Sequence, residues 1–167
     1  MIHTTRWVQD RRTAVMVAVL GTVSVVAYGL LAAVQIMVLN PLAAVPDVGL
    51  GQIRADMDAA GETLGAWWVL MAVGPALVIA LLVRVGKRPE LQPRMVASRY
   101  LILLALGTPA YFIASFGPGM ALADTYGIGG ADASPWAVPL HVTSMLAVIA
   151  LAGLAAWNRS RVSRLHR

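Results

Sequence analysis

His141 is the only side chain within the chain's long apolar stretches whose charge can change near neutral pH. Other polar residues recur around it at helical spacing. Ser24, Tyr28 and Gln35 share one face of the first apolar run, and Thr108, Tyr111 and Ser115 share one face of the third. His141 and Ser144 are neighbours on the fourth. Gln35, Tyr111 and His141 lie at matching depth, roughly 6–8 Å from the same end of their helices at 1.5 Å per residue. With these faces turned inward, Gln35, Tyr111, Ser115, His141 and Ser144 form a polar pocket suited to a headgroup, a quinone or a small solute. The plainer reading is interhelical hydrogen bonding, at about 0.6 kcal/mol per pair within a membrane.

Most catalytic chemistry is poorly served. No Asp, Glu, Lys or Arg falls inside an apolar run, whereas proton relays, ion-coupled transport and voltage sensing use such groups. His3 and His166 belong to the opposite side from His141, so a histidine metal or haem site within one chain is not expected. There is no cysteine, which removes disulfides, thiolate metal sites, thiol nucleophiles and prenyl or palmitoyl anchors. No HExxH or Ser/His/Asp arrangement occurs. The glycines at 127, 129 and 130 follow no strand and have no nucleotide-binding context. The methionines Met16, Met37, Met71 and Met145 read as apolar filler. Catalytic residues, cofactors and metals are therefore all expected to be none.

The elements that position the polar residues are four apolar spans, at about 13–39, 64–84, 100–116 and 135–157. Hydrophobic residues make up 59% of the 167 residues and charged ones 13%, about half the charged share of a soluble domain. This predicts one all-α domain over 1–167, an integral membrane four-helix bundle. Of the 13 basic residues, all but Arg54 flank the spans on one side: Arg6, Arg11 and Arg12; Arg84, Lys87, Arg88, Arg94 and Arg99; Arg159, Arg161, Arg164 and Arg167. The acids oppose them, with only Asp10 and Glu90 on the basic side. Positive residues are retained in cytoplasmic loops, so both termini are expected in the cytoplasm. The net charge of +5 follows from this topology and does not indicate nucleic acid. Anionic lipid headgroups are the expected partners of Arg11, Arg12, Arg84, Lys87, Arg88, Arg159 and Arg161, at about 1 kcal/mol each. Arg in place of Lys, with abundant Ala and Val, suggests a bacterial gene and hence the inner membrane. The first run, about 40 Å as a helix, is too long for a cleaved signal and reads as a retained span.

Asn40-Pro41 is expected to end the first span, and Gly117-Pro118 the third, with Pro109 interrupting it and Pro75 kinking the second. In the first outer loop, Ile53, Met57, Ala60 and Leu64 recur at helical spacing opposite Arg54, Asp58 and Glu62. A short amphipathic surface helix is predicted there, running toward the second span, with Arg54 and Asp58 placed to pair. Residues 119–133 read as a Gly-rich outer loop, and Ser134-Pro135 as the start of the fourth helix. Trp67, Trp68, Trp136 and Trp157 mark interfaces. Ala72, Ala76 and Ala80 form the clearest small-residue packing face, with Gly29/Ala33, Ala110/Ala114 and Ala152/Ala156 repeating the theme. No internal repeat is visible. The functional expectation is a non-enzymatic accessory, assembly or scaffolding subunit of a larger inner-membrane complex, with a protein partner or a second copy of itself. The alternative is binding or permeation of a small molecule, quinone or lipid at the pocket around His141.

Overall fold

The computed structural model describes residues 2–62, 67–88 and 92–165, with side chains described for 10–62, 73–88 and 92–157. All regular structure among them is helical: α1 (Ile2–Val34), a π-helical turn (Gln35–Leu39), α2 (Asn40–Ala44), α3 (Leu50–Ala59), α4 (Trp67–Lys87), α5 (Pro93–Ala105), α6 (Gly107–Tyr126) and α7 (Ala137–Leu165). Three continuous stretches are long and apolar enough to cross a membrane: Asp10–Ala44, Pro93–Tyr126 and Ala137–Trp157. The second expected span corresponds to α4, a helix of 21 residues, of which the side chains before 73 are not described.

α1 packs along both α4 and α5, and α5 also packs along α7. The start of α1 meets the end of α4 and the start of α5 in a core of Ala14, Ala18, Val78, Val85, Val96 and Tyr100. A second core, toward the other end, joins Ala32, Ile36, Tyr111, Ala114, Ala137 and Leu140. Large aliphatic and aromatic side chains face outward. Leu20, Val23, Leu30, Phe112, Ile113, Phe116, Leu146 and Ile149 are each more than half exposed. That inversion suits a hydrocarbon solvent, where burying apolar area between helices gains little and close packing of small residues gains more.

Both proline-terminated boundaries are corrected. The first helix does not stop at Asn40-Pro41. Its backbone shifts to the wider π register, in which the Asn40 N–H bonds the Gln35 carbonyl, and continues to Ala44. Pro41 cannot donate to the Met37 carbonyl; the Arg54 guanidinium donates to that oxygen instead, at 3.4 Å. Arg54 is therefore turned toward the π turn, not toward Asp58. The third helix does not end at Gly117-Pro118 either. It runs to Tyr126, where Gly127 adopts a left-handed φ of 64° and its N–H bonds Ala123 O. The Ile128 N–H closes the same carbonyl at 3.2 Å, a Schellman ending. A proline inside a helix removes one donor, and a neighbouring helix can re-satisfy the freed group.

The predicted surface helix is α3. Ile53 and Met57 are buried and pack on Val45, Ala121 and Leu122. Its polar face is tied down as well: Gln52 donates to Asp56 Oδ1 at 2.6 Å, and the Tyr126 hydroxyl donates to Asp56 Oδ2 at 2.7 Å. The helix stops at Ala59. Gly61, with φ 77°, allows the Glu62 N–H to reach Met57 O at 2.9 Å, so Ala60 falls in a turn and the helix is not continuous with α4. Leu64 lies outside the described residues.

The expected small-residue face on α4 is also corrected. Ala76 and Ala80 are exposed, while Val78 and Val85 are buried; Ala72 lies outside the described side chains. The close helix approaches occur elsewhere. A Cβ placed on Gly21 would overlap the Tyr100 ring, and one on Gly107 would overlap the Tyr28 ring, whereas Gly29 has open space. α1 and α5–α6 thus exchange a glycine for a tyrosine in both directions. The Tyr100 hydroxyl adds a hydrogen bond to Thr22 at 2.9 Å.

Candidate functional site

The polar residues of the spans assemble in the half of the molecule that carries the acidic loops. Gln35, at the start of the π turn, is fully buried. Its Nε2 donates to the Ser134 carbonyl at 3.4 Å, and its Oε1 has no partner. Tyr111 is 2% exposed, and its hydroxyl donates to Asp132 Oδ1 at 2.7 Å. One turn beyond Gln35, Asn40 Oδ1 accepts the N–H groups of Ala133 at 2.7 Å and Ser134 at 3.4 Å. Two helices therefore hold the segment that precedes α7 by three side chains. Ser134 Oγ accepts the Trp136 N–H at 3.3 Å, but residues 134–136 form a turn and α7 begins at Ala137, two residues after the start read from Ser134-Pro135.

Ser144 is 4% exposed and sits at the joint between α5 and α6. In a regular α-helix the Thr108 N–H would bond Leu104 O. Here Pro109, which crowds the preceding turn, accompanies a break at Leu106. Ser144 Oγ enters the gap. It donates to Leu104 O at 2.8 Å and accepts the Thr108 N–H at 3.0 Å, with the Tyr28 hydroxyl 3.3 Å away.

His141 lies on the outside of this cluster. Its Nδ1 is 3.2 Å from Thr108 Oγ1, and its ring meets Tyr111 edge-on, with centroids 5.7 Å apart. The side chain is exposed on the bundle surface. Ser115 bonds the carbonyl of Phe112 at 3.3 Å and lines a cavity of about 20 Å³ with Ile36, Asn40, Pro41, Pro118 and Asp132. That volume admits one water molecule. Ser24 is exposed and bonds Leu20 O in its own helix at 2.9 Å, so it does not join the group.

Gln35, Tyr111, Ser115, His141 and Ser144 thus occupy one region, with Gln35, Tyr111 and Ser144 inside, Ser115 at the small cavity and His141 on the rim. Asn40, Asp132 and Ser134 complete the cluster and were missed as members. In the sequence Asn40 reads as a helix stop beside Pro41, and Asp132 is one of the acids of the outer loops. A sequence signal existed in the second polar residue one turn after Gln35, but pairing it with a loop needed the third dimension. Among the described residues, no group of three or more His, Asp or Glu could hold a metal ion.

At the opposite end, Arg11, Arg12, Arg84, Lys87 and Arg88 are all exposed; the side chains of Arg159 and Arg161 lie outside the described set. Comparison with known proteins adds no assignment: no family model matches the chain, and no curated protein or solved structure shows significant similarity to it.

Proposed function

We propose that this chain is a four-span bundle of a bacterial inner membrane, with both termini cytoplasmic. On this reading it serves as a non-enzymatic accessory, assembly or scaffolding subunit of a larger complex. α4 supplies the fourth crossing: its 21 residues extend about 31 Å, the thickness of the hydrocarbon core. The basic end faces the cytoplasm because Lys and Arg resist translocation.

One observation carries the scaffold reading. The buried polar side chains, Gln35 Oε1 excepted, bond helix joints and the segment before α7, and the cavity beside Asn40 and Ser115 is about 20 Å³. That cavity has room for one water and not for a ligand, so on this reading the surfaces that act are helix faces. The exposed Ala76 and Ala80 beside Val73, Leu77 and Ile79 on α4 offer a face that another helix can approach closely. The test is gentle extraction followed by native mass spectrometry. A stoichiometric protein partner or a second copy is expected. A monomer carrying only a retained small molecule would replace this reading. A reporter active only outside the cytoplasm should be silent after Arg167 and active within 127–136; the reverse would overturn the orientation.

A second reading, binding of a quinone, headgroup or small solute, is favoured by one feature. His141 is exposed, with its Nδ1 held by Thr108, which leaves the other ring edge toward the surroundings. Loss of biological activity in His141→Ala at normal abundance would support it.

A further inference from the structure

We infer that the groove between the basic ends of α4 and α5 is a specific binding site for a phosphate-bearing headgroup. The groove has a volume of about 630 Å³ and is lined by Ala80, Leu81, Val83, Arg84, Lys87, Arg88 and Arg99. Four cations therefore converge on one space, and no carboxylate among the described residues lines it. Net charge and topology do not require this convergence. Positive residues scattered along a juxtamembrane loop satisfy the topology equally well.

Arg99 separates this site from a general basic surface. It projects from α5, one position before the Tyr100 ring that packs against Gly21. Its Nη1 is buried and has no hydrogen-bond partner. A guanidinium nitrogen shielded from water and unpaired is costly. Arg99 also lines the groove, so a turn of the guanidinium would let an anion there accept the Nη1 protons and remove that cost. Arg84 and Lys87 on the last turn of α4, and Arg88 just after it, supply further donors along the groove. Guanidinium groups hold phosphate oxygens through paired N–H bonds. The floor of Ala80, Leu81 and Val83 is apolar, and Ile79, Leu82 and Val83 continue an exposed apolar face along α4. A headgroup in the groove thus has a surface for its acyl chains. Basic pockets at the cytoplasmic ends of membrane helices hold anionic headgroups on the same principle. The shared chemistry is phosphate; a lipid and a free inorganic phosphate are its two possible sources. The site rests on side-chain placement and not on the proposed orientation, so a reversed topology would change the leaflet and leave the binding intact.

The test uses the whole chain in a neutral detergent. Binding is read by native mass spectrometry and by the melting temperature. The probes are dioleoylphosphatidylglycerol, a tetraoleoyl diphosphatidylglycerol, dioleoylphosphatidylcholine and sodium phosphate. Saturable binding of the anionic lipids is expected, with a rise in melting temperature that phosphatidylcholine does not produce. Arg99→Gln should weaken binding by roughly ten- to a hundredfold, the range for hydrogen bonds to a charged group. Arg99→Lys should recover part of it. If Arg99→Gln does not fold, the exposed pair Lys87→Gln, Arg88→Gln gives the same reading. Arg94→Gln removes the same charge from the same helix outside the groove and should bind as the unaltered protein does. Sodium phosphate that saturates the site and displaces the lipid at millimolar concentration would assign it to free phosphate. Unchanged binding by Arg94→Gln and weaker binding by the groove variants supports the site. Equal losses in both, or no saturable binding of any phosphate probe, overturns it.

Discussion

The Thr108 amide of α6 donates its hydrogen bond to the hydroxyl of Ser144 on α7, at 3.0 Å, in place of its own helix. The same hydroxyl donates to Leu104 O, the carbonyl that the Thr108 amide would otherwise occupy. One side chain thus repairs both ends of a broken helical bond. An inserted side chain is a recognised cause of a helix kink. The joint at Leu106 depends on α7 for its polar balance, which couples the angle between α5 and α6 to the docking of α7.

Ser144→Ala should therefore orphan a backbone donor and a backbone acceptor in a buried place. A loss of roughly 1–3 kcal/mol is expected. Ser24→Ala is the matched control, because Ser24 only bonds its own helix, and it should change stability little. Reversible unfolding in mixed micelles measures both. Equal stability of Ser144→Ala and the unaltered protein would mean that water or a relaxed helix fills the gap.

Gly21→Ala and Gly107→Ala test the exchange of glycine for tyrosine between α1 and α5–α6. Each new methyl would meet a ring held in a closed interface, and overpacking of this kind costs about 1–3 kcal/mol. Gly29→Ala, on the same helix as Gly21 but with open space around it, should be neutral or slightly stabilising through helix propensity. A shared response of all three would trace the effect to helix backbone flexibility and not to the rings.

The packing seam was legible in the sequence, but at other positions from those expected. Ala14, Ala18, Gly21, Val25, Tyr28, Ala32 and Gln35 follow one another at steps of three and four, and all are buried or half-buried. So do Ala137, Leu140, Ser144, Ala147, Leu151 and Leu154. That is the stripe of a left-handed helix pair. It stays hidden because every face of these helices is apolar, so hydrophobicity does not mark the inside. Small and polar residues mark it, against large aliphatics outside. The Ala76 face was chosen on size alone, in a helix whose neighbours supply Val78 as the contact. The proline boundaries failed for a different reason. Chain-local rules price the lost N–H of Pro41 without knowing that Arg54 will bond the freed carbonyl. The surface helix, by contrast, has a polar face, so ordinary amphipathic periodicity located Ile53 and Met57.

Ala76→Leu separates packing within the chain from packing against a partner. Ala76 is exposed, so the isolated protein should melt at an unchanged temperature. In cells, the added bulk should keep another helix from close approach. The expected outcome is normal abundance with reduced recovery of the co-purifying partner. Undiminished recovery would place the partner on another face, and a lowered melting temperature would return Ala76 to the interior of the bundle.

The segment before α7 gives the last prediction. Asn40 accepts both the Ala133 and Ser134 amides, and the Tyr111 hydroxyl holds Asp132. Neither helix alone fixes the segment: Asn40 belongs to the first membrane stretch and Tyr111 to the one that ends at Tyr126. Asn40→Ala removes the acceptor for two amides, so their hydrogen exchange should accelerate and stability should fall by about 1–3 kcal/mol. Tyr111→Phe keeps the buried ring and its edge contact with His141, and removes only the bond to an exposed carboxylate. Its stability loss should be the smaller, about 1 kcal/mol, with exchange at Ala133 and Ser134 raised less than in Asn40→Ala. Hydrogen exchange read by mass spectrometry over peptides covering 128–140 makes the comparison. If Tyr111→Phe opened the segment as fully as Asn40→Ala, Asp132 would be its true anchor, and the π turn that presents Asn40 would serve Gln35 alone.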